Sequence, residues 1–198
     1  MTLPNTLSNV SPNTLTHTLL AFADSYIEKH QSEHHQLPTV ESDKDWVSDC
    51  EQGRHNEEEI YWKPVKITHK LNFENVEQAL NLTLHQDIKD YFTTIYSESL
   101  EAESEDGKLS LLLAWNRDDF ERLQQNLIGH IMMKQKLKQN ITLFFAVTDE
   151  DDMIISLDNE TGEIWVEQVG CKPHKKLANN MVQFLNNLTP LTSVDVDT

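Results

Sequence analysis

The chain has 198 residues, enough for a single domain that buries its own core without disulfides or metal. Its hydrophobic content of 38% and charged content of 25% are ordinary, but 33 acidic residues stand against 16 basic ones, a formal net charge of −17. A field of that sign repels phosphate backbones and anionic headgroups and draws in basic partners, which argues against nucleic-acid binding and against direct adsorption to an anionic membrane.

In chain order, residues 1–13 read as a flexible tail; no Lys or Arg precedes their apolar residues, so they do not form a secretory signal. Ser11-Pro12 fits an N-cap followed by proline in a first turn. Leu15, Leu19, Phe22, Ala23, Tyr26 and Ile27 then recur at helical spacing, predicting a helix to about Lys29. Residues 30–57 show no clean period and read as a long loop with room for a short strand. "EIYWKPVKI" (59–67) alternates like a strand that Pro64 confines to an edge or ends. "FENVEQALN" and "QDIKDYFTTIYS" predict helices, and "ESLEAESEDG" (98–107) an acidic loop. "KLSLLLAW" predicts a buried strand, residues 118–139 a strong helix, and "ITLFFAVT", "MIISLD" and "EIWVEQVG" three hairpin-linked strands. A last helix is expected from Pro173 to Pro190, carrying Leu177, Met181, Phe184, Leu185 and Leu188. The pattern predicts a single-domain α+β fold (mixed α/β), a mainly antiparallel sheet flanked by helices, over 14–191, with a short tail over 192–198. The longest apolar runs, "LLLAW" and "LFFAV", fall far short of the ~20 residues of a membrane helix. Cys50 and Cys171, without C-x-x-C spacing, fit a reducing compartment.

Recognisable reaction chemistry is absent from the pattern. The five glycines are isolated, so no phosphate loop forms, and G-x-S-x-G, H-E-x-x-H and a Cys/His grid are missing. "HQSEHH" sets His30 and His34 one helical turn apart, a spacing that can chelate a divalent ion but is better read as a polar helix end that tolerates histidines, and no metal or cofactor is expected. Gly129-His130 sits mid-helix: the glycine is expected to admit a neighbouring backbone, and His130 to occupy the margin of the core rather than act as a general base. No catalytic residue is expected. Carboxylates are abundant beside aromatic residues: Glu57, Glu58 and Glu59 ahead of Tyr61-Trp62, Glu98 to Asp106 ahead of the "LSLLLAW" strand, and Asp118 and Asp119 after Trp115. Carboxylates in a first helical turn also complement the helix dipole. Together, Glu58, Glu59, Trp62, Trp115, Asp118 and Asp119 are the expected acidic and aromatic surface for a basic partner.

The stretch "LSLLLAWNRDDFERLQQNLIGHIMMKQKLKQNITLFFA" closely resembles the Syd family of SecY-interacting proteins of Gram-negative bacteria. "EEIYWKP", "DIKDYFTTIYS", "TGEIWVE" and "LANNMVQFLNNLTPL" resemble segments of the same family in the same order, so the likeness covers residues 14–191. The resemblance implies a Smi1/Knr4-like fold and a regulatory or quality-control protein, not an enzyme. It implies binding of basic cytoplasmic SecY loops in an electronegative groove, and a peripheral, loose association with the cytoplasmic side of the inner membrane, indirect through SecY. Two other readings compete: an acidic immunity-type protein that neutralises a basic toxin, and a carboxylate- or His-dependent hydrolase built around His130.

Overall fold

The computed structural model describes residues 14–192; the N-cap expected at Ser11 and the stretches 1–13 and 193–198 lie outside the described residues. Helix α1 (Thr14–His34) outlasts its expected end by a turn, because its apolar stripe continues from Tyr26 to a buried His30 and no Gly or Pro intervenes. His35, in the left-handed region at φ 58, closes it by donating its N–H to the Gln31 carbonyl at 2.9 Å.

The expected loop that follows contains strands β1 (Thr39–Glu41) and β2 (Glu51–Arg54), which flank β3 (Glu59–Trp62) in an antiparallel sheet of order β1-β3-β2. Both are too short to display an alternation, and β2 carries Gly53 at φ +115 where its register against β3 shifts. Pro64 divides the predicted strand 59–67: β4 (Val65–Lys66) resumes beyond it and pairs with β5 (Ile95–Tyr96). Between them come α2 (Glu74–Leu80) and α3 (Gln86–Thr94). Helix α3 gives way to β5 at the β-branched run Thr93-Thr94-Ile95.

The acidic segment 98–107 is not a loop. It forms β6 (Leu100–Ser104), which pairs with β7 (Gly107–Leu111) in a tight hairpin, Leu100 opposite Leu111 and Ala102 opposite Leu109. Leu100 and Ala102 are buried while Glu101 and Glu103 face outward, a period-two pattern written among glutamates. Helix α4 (Arg117–Lys136) follows, then β8 (Thr142–Thr148), β9 (Met153–Asp158) and β10 (Ile164–Gln168) as predicted. The expected last helix is instead β11 (Lys175–Ala178), α5 (Met181–Asn186) and β12 (Thr189–Pro190). The Asn180 side chain caps α5 by accepting from the Gln183 N–H at 2.8 Å, so the helix begins there and Leu177 belongs to the strand before it.

One sheet of seven strands, antiparallel throughout, has the order β11-β10-β9-β8-β7-β6-β12. Lysines 175 and 176 on β11 and Pro190 on β12 blunt its two edges against further pairing. Successive side chains of β8 alternate between the faces of the sheet, so Phe144 meets His130 of α4 at 5.5 Å between centroids, whereas Phe145 meets Tyr91 of α3 at 5.4 Å and Phe184 of α5 at 5.5 Å. Helices therefore cover both sides of the sheet, and the fold is the expected α+β arrangement.

Gly129 does not admit another chain. It is exposed on α4, and a Cβ built there meets nothing within 4 Å. Gly129→Ala is accordingly expected to stabilise the protein by about 0.5–1 kcal/mol, since alanine removes the helical cost of glycine without a clash. The urea unfolding midpoint checks it, and an unchanged or lower midpoint contradicts it.

Candidate partner-binding surface

The residues singled out from the sequence fall into a framework and a rim. Trp62 and Trp115 belong to the framework. Only 3% and 5% exposed, they are core residues, so the surface anchoring expected of them is corrected: they do not project toward a partner. Their rings meet edge to face at 6.3 Å, and Trp62 also stacks on Tyr26 at 6.4 Å. The Trp115 indole N–H donates to the Trp46 carbonyl at 2.9 Å, and the Ser48 hydroxyl donates to the Trp115 carbonyl. The Asn116 side-chain amide donates to the Val47 carbonyl at 3.1 Å. These bonds join the loop before β2 to the N-terminus of α4.

Asp118 and Asp119 occupy the first turn of α4, where the dipole favours them, but their roles differ. Asp119 is half-buried and accepts from the Trp115 N–H at 2.9 Å, its own N–H donates to Asn116 Oδ1 at 2.9 Å, and Arg122 lies 3.6 Å from its carboxylate. Asp118 is exposed. A similar division separates the two glutamates ahead of β3. Glu59 accepts from Asn56 Nδ2 at 2.7 Å and Thr39 Oγ1 at 3.1 Å, bonds that hold its carboxyl below the usual range, while Glu58 is exposed and bonded through its backbone, its N–H to Asn56 Oδ1 and its carbonyl to the Ser42 N–H. Glu58, Asp118 and Glu101 have no cationic partner among the described residues.

Two further acidic neighbours emerge from the fold. Glu98, between β5 and β6, is half-buried; burial raises its carboxyl pKa, and the Asp119 charge raises it further. Glu101 reaches a cleft of about 390 Å³ between the end of α1, β1, the end of β3 and β6, lined by Tyr26, His30, His34, Thr39 and Trp62. The hairpin register that puts Glu101 outward is what a loop reading of 98–107 misses. The histidines that could have chelated a metal are engaged locally: the rings lie 4.5 Å apart at a tilt of 43°, with His30 Nδ1 3.0 Å from the Gln36 carbonyl and His34 Nε2 2.8 Å from the Thr192 carbonyl. Among the described residues no group of three or more His, Cys, Asp or Glu converges as a metal site.

On the far side of the sheet lies a charged cluster that the sequence reading missed. Lys134 and Glu167 are fully buried and 2.7 Å apart. Lys134 Nζ also donates to the Cys171 carbonyl at 2.7 Å and Gln139 Oε1 at 3.1 Å, so each of its protons has an acceptor. The other Glu167 oxygen accepts from Thr142 Oγ1 at 2.7 Å and Ser156 Oγ at 3.1 Å. His130, 8% exposed, places Nε2 3.1 Å from Thr142 Oγ1; because that hydroxyl gives its proton to Glu167, the imidazole is the donor. The signal in the sequence was a lysine seven residues beyond Leu127 on the core stripe, and a glutamate inside the strand "IWVEQ". The cluster is packed rather than open to a substrate, so His130 loses the access a general base needs.

Burial holds both His130 and His30 below the ordinary histidine pKa. A depressed folded value means the unfolded chain binds the proton more readily, so the stability these groups leave intact above about pH 6.5 is lost as pH falls through that value toward their folded pKa values. Glu98, raised instead of lowered, acts in the opposite sense. The expected outcome is a urea midpoint that drops between pH 7.5 and 5.5, with a smaller drop in His130→Gln; an equal drop in that variant contradicts the assignment.

A family model described as Syd protein (SUKH-2) matches residues 16–190. The chain belongs to the Syd family. Protein Syd of Colwellia psychrerythraea (strain 34H) is 57% identical over 185 residues, covering 89% of this chain and 92% of the relative. Protein Syd of Alteromonas mediterranea is 45% identical over 181 residues, 91% of this chain and 98% of the relative, and that of Pseudoalteromonas atlantica is 42% identical over 164 residues, 81% and 88% respectively. The Syd family is not an enzyme class, and none of these relatives is described as an immunity protein. Among the described residues no helix is long and apolar enough to cross a membrane.

Proposed function

We propose that this Syd-family protein binds SecY of the protein translocase at the cytoplasmic face of the inner membrane, as a peripheral and loosely associated regulatory or quality-control factor. The partner follows from the family resemblance, and the mode of binding from the charge. What supports the mode is three exposed carboxylates without a cationic partner among the described residues, Glu58, Asp118 and Glu101, in a chain of net charge −17. Glu59 and Asp119 stand beside them in fixed orientations.

At the N-terminal end of α4, Arg122 lies beside Asp119 and Arg117 beside Glu121, which leaves Asp118 as the unpaired carboxylate of the first turn among the described residues. Lys134, in the last turn, is buried against Glu167 and presents no charge to a partner. A basic loop approaching the N-terminal end is attracted by the net negative field of the chain. Membrane contact is then indirect, through SecY, since the acidic side is repelled by anionic headgroups. Sedimentation with inner-membrane vesicles rich in SecY and with vesicles depleted of it tests the proposal. Co-sedimentation with the first alone is expected; equal partition to both, or none to either, contradicts it.

A further inference from the structure

We propose that the cleft at the end of α1 receives an arginine side chain of the partner, an inference that rests on the reading of a basic partner docking on this side. Its lining accepts hydrogen bonds and carries no cation of its own. Lys29 is turned away, its ammonium donating to the Pro190 carbonyl at 2.8 Å.

The two imidazoles are fixed in complementary tautomers. A carbonyl oxygen only accepts, so His30 Nδ1 and His34 Nε2, each held by a backbone carbonyl, carry the ring protons. While neutral, His30 Nε2 and His34 Nδ1 are lone-pair acceptors, with no hydrogen-bond partner among the described residues. Burial favours the neutral form of His30. Glu101 spends one carboxylate oxygen on the Ser110 hydroxyl at 2.6 Å and keeps the other free. Tyr26 and Trp62, buried and stacked on each other with 26° between their planes, form the floor of the cleft.

Guanidinium is the biological cation that matches this lining. It offers five donors in a planar fork and no acceptor, and stays charged at every physiological pH. A lysine ammonium is compact and strongly hydrated and carries three donors on one atom, too few and too close together to reach the separated acceptors of the lining, so the cleft discriminates between the two basic side chains. An anionic ligand meets the Glu101 carboxylate and is repelled. The cleft adjoins the acidic rim, since Thr39 on its wall donates to Glu59.

The test is an NMR titration of the full chain with the peptides acetyl-Gly-Arg-Gly-amide and acetyl-Gly-Lys-Gly-amide. The expected result is a saturable shift of the His30 and His34 imidazole and Trp62 indole resonances with the arginine peptide, and binding about tenfold weaker with the lysine peptide or in Glu101→Gln. Glu103→Gln, at the next outward position on β6, is expected to bind as the parent does. Amide dispersion reports whether Glu101→Gln is folded, and His34→Phe, which keeps an aromatic ring and removes the lone pair, is read in the same way. Absent shifts, equal response to both peptides, or full binding by the folded variants overturns the proposal. Arginine binding in the cleft without attachment to SecY-rich vesicles overturns the partner and leaves the cleft. Attachment to those vesicles undiminished in Glu101→Gln, with no peptide binding, overturns the cleft and leaves the partner.

Discussion

Lys134→Met is expected to destabilise the protein by about 3–5 kcal/mol, because it strands the Glu167 carboxylate, fully buried, without its counter-charge. The carboxylate would keep its bonds from Thr142 and Ser156, but neutral hydroxyls do not offset the desolvation of a full charge. Glu167→Leu alone is expected to cost a similar amount by orphaning the ammonium. The pair Lys134→Met with Glu167→Leu should recover much of the loss, since apolar replacement of a whole buried pair is often close to neutral. Recovery will be incomplete, because Thr142 and Ser156 lose the acceptor they share. Urea unfolding of the four proteins gives the coupling directly. A single-variant loss under about 1 kcal/mol means that water or another group already compensates the charge, contrary to the packing described.

The second large effect concerns docking. Reversing Glu58 and Asp118 together, as Glu58→Lys with Asp118→Lys, is expected to weaken attachment to SecY-rich vesicles by about tenfold to a hundredfold, chiefly through slower association. Both side chains are exposed, so folding stability should move by no more than about 0.5 kcal/mol. Adding Glu59→Lys and Asp119→Lys is expected to abolish docking but also to disturb the fold. Glu59 is braced by Thr39 and Asn56, and Asp119 holds the Trp115 backbone. The double variant is therefore the cleaner reagent. Docking retained in the folded double variant would show that the acidic side engaging SecY lies elsewhere on the molecule.

How far the sequence carries is clearest at particular residues. The three hairpin strands after α4 were legible because their alternation is strong and their turns are short. Hairpin β6–β7 was not, because its outward positions are glutamates that read as a solvated loop until the pairing of Leu100 with Leu111 is seen. Strands β1 and β2 are too short for a period to show, and both rely on β3 for their pairing. At the candidate surface the chain displays which residues are acidic, and that part needed no structure. Exposure is a tertiary property, so Trp62 and Trp115 looked like anchors and are core, while Asp118 and Asp119, adjacent in sequence, divide into a free carboxylate and a backbone brace. His30 and His34 read as a polar helix end whose spacing would also suit a chelating pair, and the partners that hold them, the carbonyls of Gln36 and Thr192, are brought in only by the fold.

The account as a whole depends on charge guiding this Syd-family protein to SecY, and the affinity for SecY-rich vesicles as a function of salt measures that dependence most directly. Between about 0.1 M and about 1 M salt the screening length falls from about 10 Å to about 3 Å. The account predicts attachment that weakens steeply across this range, and a shallower dependence in the Glu58→Lys, Asp118→Lys variant. Attachment of equal strength at both ends of the range would contradict it.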